Sequence, residues 1–375
     1  MTTTTRLWMA RLAAGLTQDQ VIAQMLTLGR RLRVPLATPA SLKTMLSNWE
    51  NGRKAVIDPG YHRLFREIYG RTNEELGFPP EATDELTREI KDRLTVARNI
   101  DTQTITLFRT QLDIARQRDR RHGAITVLDQ LRSQITELHD LLTFGLHRGH
   151  RQQLAIVLAD ACTLAGWEAL DRGSPEQSWR HHEMAKVSAH EANSPAHLAY
   201  AIGQQAYILL DLGRTTDAVQ QLEYARTVAN DHTPSLLQCW LAAAHGEALA
   251  AAGAATEALT AFHAAHSCLP ADPNDPGLPF LMLSETHLGR WRGHALTRLG
   301  NNTAVDELET ALRNMPRDLG RSRLSLLVDL AYAHAATDHT AALTYAREAR
   351  TLARTIGSER QRQRLGGLVL SARSG

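Results

Sequence analysis

Gly166-Trp167-Glu168-Ala169-Leu170-Asp171-Arg172-Gly173 is the stretch that decides the fold, because its frame returns at Ala206 to Gly213, Gly246 to Gly253 and Gly293 to Gly300. In each frame a small residue stands seven positions before a glycine, and the frames recur at intervals of 40, 40 and 47 residues. Beyond each glycine a small-large-small pattern follows: Ser178, His182, Ala185; Ala218, Leu222, Ala225; Ala258, Phe262, Ala265; and, shifted by one, Ala304, Leu308, Ala311. A fifth frame runs through Ala331, Asp338, Ala342, Ala346 and Ala349. Small residues in these places let two antiparallel helices approach closely and stack on the next pair. His182 and Asp338 depart from the pattern. Residues 151–375 therefore read as about five helix pairs, with Pro195 and Pro234 at inter-pair junctions and a capping helix over Ser358 to Ser371.

The rest of the composition agrees with an all-α chain. Of 375 residues, 43% are apolar, 22% charged and only 5% aromatic, and Ala, Leu and Arg are abundant helix formers. The net charge of +2 is unevenly spread: residues 1–80 carry 11 Lys/Arg against 6 Asp/Glu, and the other 295 carry 31 against 34. Basicity at the front is what a phosphate-facing segment needs. Cys162, Cys239 and Cys268 lie far apart without a CxxC spacing, so they read as small core residues of a reducing compartment. No apolar run nears the roughly 20 residues of a membrane span, and the Thr2 to Thr5 start lacks a signal-peptide apolar region. A cytoplasmic protein without membrane association is expected. No P-loop, dinucleotide fingerprint, Gly-x-Ser-x-Gly elbow or His-Glu-x-x-His helix is present, so neither catalysis nor a cofactor is expected. His263, His266 and Cys268 have partial metal-ligand spacing but lack a fourth group, and with His181, His182, His147 and His150 they read as surface or packing residues; no metal is expected.

Residues 1–78 form a small helical domain. Leu7, Trp8, Leu12 and Ala13 suit a first helix ended by Gly15, and Thr17 caps a second with Val21, Ile22, Met25 and Leu28 as its buried stripe, ending near Arg33. Past Pro35 and Pro39, Leu42, Met45, Leu46 and Trp49 fall on one face of a third helix closed by Gly52. Its other face carries Lys43, Thr44, Ser47 and Asn48, side chains able to reach base edges in a major groove. A fourth helix covers Tyr61 to Tyr69.

Gly15-Leu16-Thr17-Gln18 and Trp49-Glu50-Asn51-Gly52-Arg53 resemble the lambda-repressor-like (XRE-type) helix-turn-helix family. The resemblance implies a third helix that enters the major groove and a Gln18 that touches phosphate and braces it. It assigns DNA contact to Gln18, Ser41, Lys43, Thr44, Ser47, Asn48, Arg53 and Lys54, the last two on the backbone. The stretch from Leu26 to Pro39 is longer than a tight turn, so an extended second helix and an irregular crossing are expected.

Residues 79–150, after Pro79-Pro80, read as a helical linker with breaks near Asp101 and Gly123. Its charged run Arg116 to Arg121 reads as a solvated helix face. Leu128, Leu131, Ile135, Leu138 and Leu142 form an apolar stripe that either packs on the first repeat or forms a dimer interface.

The repeat frames resemble the tetratricopeptide repeat, whose period of about 34 residues is shorter, so longer helices or wider loops are expected here. That resemblance implies a right-handed α-superhelix whose concave face is lined by the first helix of each pair. By position it gathers Trp167, Tyr207, Glu247, His294 and Tyr332 there, with Trp240, Arg290 and Arg298 as neighbours. Such a groove suits an extended peptide, with Arg or His gripping a carboxylate; the same residues also suit inter-repeat core. Taken whole, with Tyr69-Gly70-Arg71-Thr72-Asn73-Glu74-Glu75-Leu76-Gly77-Phe78, the chain is similar to actinobacterial helix-turn-helix regulators with tetratricopeptide-like C-terminal regions. It is more distantly similar in layout to the peptide-sensing RRNPP regulators. The resemblance implies a homodimer on a palindromic double-stranded operator, with a peptide or protein ligand in the repeats; a repeat-based interaction scaffold is the second reading.

Overall fold

Threonine side chains set the starts of the N-terminal helices. Thr5, Thr17, Thr38 and Thr72 lie in extended backbone, and each hydroxyl accepts a backbone N–H of the first turn. In the computed structural model, which describes residues 5–79, 82–123, 127–145, 148–229 and 233–369 (side chains at 82–86 and 148–149 aside), these caps open α1 (Arg6–Ala13), α2 (Gln18–Leu32), α3 (Pro39–Glu50) and, after α4 (Pro59–Tyr69), the short α5 (Asn73–Leu76). Thr2 to Thr4, Pro80, His147 and Ser371, which figure in the sequence reading, lie outside the described residues. Val21, Met25, Leu42, Leu46, Leu64 and Phe65 are fully buried where α2, α3 and α4 meet. The extended α2 closes at Arg33, in the left-handed region at φ 55°. The crossing to α3 is tied down by the Ala37 N–H, which donates to the Tyr61 hydroxyl at 3.2 Å.

The chain divides into two compact units, Met1–Leu94 and Thr95–Gly375, with the division inside α6 (Ala82–Arg98). The second unit begins with α7 (Thr102–His122) and α8 (Leu128–Phe144). It continues as α9 (Arg148–Asp171), α10 (Pro175–Glu191), α11 (Pro195–Asp211), α12 (Thr215–Ala229), α13 (Ser235–Ala251) and α14 (Ala255–Ser267). It ends with α15 (Glu285–Arg298), α16 (Ala304–Asn314), α17 (Gly320–His334), α18 (His339–Ile356) and α19 (Glu359–Gly366). No strand occurs among the described residues. From α9 to α18 the helices pack as consecutive pairs.

The repeated frame has a plain steric basis. Gly173, Gly213, Gly253 and Gly300 take φ values of 65 to 82°, the left-handed turn that reverses the chain between paired helices. Seven residues earlier, the small residue makes room for the large knob on the paired helix: a Cβ on Gly246 would sit 2.9 Å from the Phe262 ring, and one on Gly293 2.7 Å from Leu308. In the first pair the knob is His182, whose ring lies 2.7 Å from where a Gly166 Cβ would be. The fifth pair turns without glycine, and Asp338 caps α18 instead by accepting from the Thr340 and Ala341 N–H groups. The 47-residue interval comes from a proline-rich crossing, residues 269–283, whose Leu278, Leu281 and Leu283 are buried in the array core.

Three sequence expectations are resolved by packing. The α8 stripe of Leu128, Leu131, Ile135, Leu138 and Leu142 is buried in one cluster with α7 and α9, so the chain itself covers it. The charged run on α7 is not a uniformly solvated face: Arg116 and Asp119 are buried and Arg120 half-buried, because i, i+3, i+4 spacing puts them on the side of Leu112 and Ala115. α9 contains a stretch, His150–Asp171, that is long and apolar enough in composition to cross a membrane, contrary to the sequence reading. Most of that stretch is buried within the array, and its Asp160, Glu168 and Asp171 meet Arg116 and Arg321.

The last helices return to the first. Arg321 on α17 pairs with Asp119 of α7 and with Glu168 (3.1 Å) and Asp171 (2.8 Å) of α9. Arg360 on α19 makes two bonds to Asp211 of α11, at 2.6 and 2.8 Å, and lies over the Trp167 ring. The Ser358 hydroxyl donates to Asp171 at 2.6 Å.

Candidate functional site

Two places hold the residues singled out in the sequence, one in each unit. In the first unit, α3 buries Leu42, Leu46 and Trp49 and turns Lys43 and Thr44 fully outward, with Ser47 and Asn48 half-exposed beside them. What fixes the helix is Glu50. Its carboxylate is buried and accepts from Arg11 of α1 (Nε at 2.6 Å, Nη2 at 3.0 Å) and from Gln18 of α2 at 2.8 Å, while its carbonyl accepts from the Thr5 hydroxyl at 2.7 Å. Gln18 thus braces α3 through Glu50. Arg11 shares that task, and sequence reasoning missed it because its partner is 39 residues away.

The other predicted DNA residues differ in how free they are. Ser41 belongs to the N-terminal cap, its hydroxyl accepting from Thr38 at 2.9 Å, and the Thr44 hydroxyl donates to the Ala40 carbonyl. Lys43 pairs with Asp19 at 2.8 Å, both well exposed, an attachment of about 0–1 kcal/mol that a phosphate or base edge can displace. Ser47 receives Asn51, whose amide donates to the Ser47 carbonyl at 2.7 Å. The Asn48 side chain makes no hydrogen bond among the described residues, and its carbonyl receives the Arg53 N–H (2.9 Å), which aims Arg53 and Lys54 into solvent beyond the helix end.

In the second unit the inner helices line a half-open cavity of about 230 Å³. Its walls come from α7, α9, α11, α13, α15, α17 and α19 and from the proline-rich crossing. Trp167, Tyr207, Trp240, Glu247 and Arg290 line it, as the repeat register predicts for a shared inner face. His294, Arg298 and Tyr332 do not. They belong to a neighbouring polar cluster in which His294 Nδ1 donates to Asp329 (2.7 Å), Arg298 Nε donates to His294 Nε2 (3.0 Å) and the Tyr332 hydroxyl donates to the Arg364 carbonyl (2.5 Å). Burial would push the Asp329 carboxyl up, yet His294 and Arg364 hold it well below the usual carboxylate range. The cluster is internally satisfied and fills the space between α15, α17 and α19.

The cavity also holds residues that the register could not supply. Arg116, Asp119 and Arg120 come from α7, Phe280 from the crossing, and Arg321 and Arg360 from the returning helices. Their common signal is tertiary: each belongs to a segment outside the repeat frame or to the far end of the array. Burial pushes the Tyr207 hydroxyl well above its ordinary value, helped by Glu247, to which it donates at 3.1 Å. Burial, with the nearby charges of Arg290 and Arg120, lowers His287 to about 4, so it is neutral at pH 7. A larger hollow of about 760 Å³ lies between α14, α15 and α16. It is lined by exposed His263 and His266 and by the Arg292–Glu307 pair, and none of its lining polar atoms is buried without a partner. Cys268 donates its thiol to the Ala265 carbonyl.

No protein-family model matches the chain, and a comparison with curated proteins finds no match. The functional reading therefore stands on the chain's own residues.

Proposed function

We propose that this chain is a DNA-binding transcriptional regulator, with a lambda-repressor-like helix-turn-helix domain in its first unit and a right-handed tetratricopeptide-like superhelix in its second that senses a ligand. The observation that carries the reading is α3: an outward face of Lys43, Thr44, Ser47 and Asn48, ending in free Arg53 and Lys54, on a helix locked by buried Glu50. Such a helix suits major-groove entry, with Asn48 free to read a base and Arg53 and Lys54 placed for phosphate. The excess of basic residues in 1–80 supports the same assignment. The cytoplasm is its place of action, and a homodimer on a palindromic operator is the expected assembly. The cavity in the array is the sensor site.

The test is selection of bound fragments from genomic DNA by the purified full-length protein, repeated with Lys43→Ala/Asn48→Ala. One enriched motif that disappears with the double variant is expected. Enrichment no greater than a salt-sensitive background overturns the regulator and favours an interaction scaffold.

A further inference from the structure

The polar groups of the cavity are unevenly matched. Arg116 pairs with Asp113 (2.6 Å) and Asp160 (2.7 Å), Arg321 with three carboxylates and Arg360 with Asp211. Arg120 and Arg290 have no ion-pair partner among the described residues, and the carboxylate whose charge bears most on Arg290, Glu247, accepts from the Tyr207 hydroxyl. Arg290 Nε is buried with no hydrogen-bond partner. His287 adds a third donor. Its Nδ1 lies 2.7 Å from the Ser284 hydroxyl, which also accepts from the His287 N–H; in the tautomer in which that hydroxyl donates to Nδ1, the ring proton sits on Nε2. That Nε2 is buried and unpartnered too. Buried donors without acceptors are destabilising, and where they line an open cavity they suit a ligand that accepts.

The walls give the rest of the ligand. Tyr200 and Phe280 stack at 4.3 Å, and Trp291, with Arg290 over its ring at 5.6 Å, stands edge-on to Trp240 at 6.0 Å, so aromatic side chains line the space beside the guanidinium. The same rings would hold a quaternary ammonium, but two unpaired guanidinium groups repel one. At about 230 Å³ the space falls below the roughly 300–1,000 Å³ of drug-sized sites and suits a compact ligand better than an extended peptide. We infer that the cavity binds a small organic anion with a flat aromatic body, its carboxylate received by Arg120, His287 and Arg290. This rests on the cavity being the sensor site and replaces the peptide in that role.

Titration calorimetry of the full-length protein with 1-naphthoate and its uncharged isostere 1-naphthamide tests the assignment without DNA. Naphthoate should bind at one site, and naphthamide about tenfold or more weakly, since a charge-assisted bond separates them. Arg290→Gln and Arg120→Gln should each weaken naphthoate and leave naphthamide unchanged, with helical circular dichroism checking that each variant folds; Arg120→Gln, at a half-exposed position, carries the test should the other not fold. Equal affinity for the two probes, or no naphthoate binding by folded protein, overturns the anion. With an operator already selected, that failure removes the ligand class and leaves the regulator. Naphthoate binding without an operator removes the regulator and leaves the site.

Discussion

His182 occupies the knob position that Leu222, Phe262 and Leu308 fill in the later pairs, and it is buried with neither ring nitrogen partnered among the described residues. Burial lowers its pKa to about 3, with the charges of His181 and Lys186 acting in the same direction. In the unfolded chain it titrates near 6.5, so between roughly pH 6.5 and 3 the unfolded state binds a proton that the folded state refuses. Stability is therefore full above pH 6.5 and falls on acidification, by about 2 kcal/mol from this group at pH 5. His182→Leu restores the residue type of the second and fourth pairs and removes the titration. Its melting temperature should fall less between pH 7 and pH 5 than that of the parent protein. His287, His197, His245 and His181, which burial also lowers, add to the parent's remaining slope, and the raised carboxyls of Glu168 and Glu307 act against it. Identical slopes for the two proteins would show that His182 is not buried neutral.

At the scale of the helix, one residue type has opposite worth at two positions. Gly246, inside α13, faces the Phe262 ring at 2.9 Å and the Ala258 carbonyl at 3.2 Å from where a Cβ would stand, whereas a Cβ on Gly289, inside α15, would meet nothing within 4 Å. Gly289→Ala should stabilise by up to about 1 kcal/mol through helix propensity. Gly246→Ala gains the same term and loses about 1–3 kcal/mol to overpacking. Thermal unfolding followed by circular dichroism should place the first variant above the parent and the second below it; the reverse order would mean that α13 and α14 pack less closely than described. These helices were legible because their determinants are local. A turn glycine, a small residue seven positions before it and a capping threonine each act within one or two turns. The cavity was legible only in part, and for the same reason. Trp167, Tyr207 and Glu247 follow the repeat register, with Trp240 and Arg290 as their neighbours, while Arg120 and Phe280 arrive from segments outside it and Arg321 and Arg360 from the far end of the array. Charge on α7 read as solvated because its partners, Asp160 and Arg321, lie 44 or more residues away. His294 and Tyr332 obey the register yet are engaged elsewhere, His294 by Asp329 and Arg298 and Tyr332 by the Arg364 carbonyl, pairings that periodicity does not specify.

For the array as a whole, the decisive contact is the return of α17 and α19 to α7, α9 and α11, because it joins the two ends of a stack whose other contacts run between neighbours. Arg321 is its centre, facing Asp119, Glu168 and Asp171, all three buried. One cation cannot support three buried anions. Burial, opposed by Arg321 and reinforced by Asp119 and Asp171, raises Glu168 well above its ordinary value, which favours its protonated form. Glu168→Gln, which copies the protonated acid, should thus shift the urea midpoint by the equivalent of no more than about 1 kcal/mol. Arg321→Met leaves Asp119 and Asp171 without their cation and should cost about 3–5 kcal/mol. Where that loss appears tests the architecture. If the return is a separable contact, amide hydrogen exchange in the Arg321→Met protein should quicken in α19 and at the end of α18, while α13, in the middle of the stack, keeps the parent's protection. Equal acceleration in α13 and α19 would mean that the array unfolds as one cooperative body, and that the Arg321 cluster stabilises all of its helices rather than joining its ends.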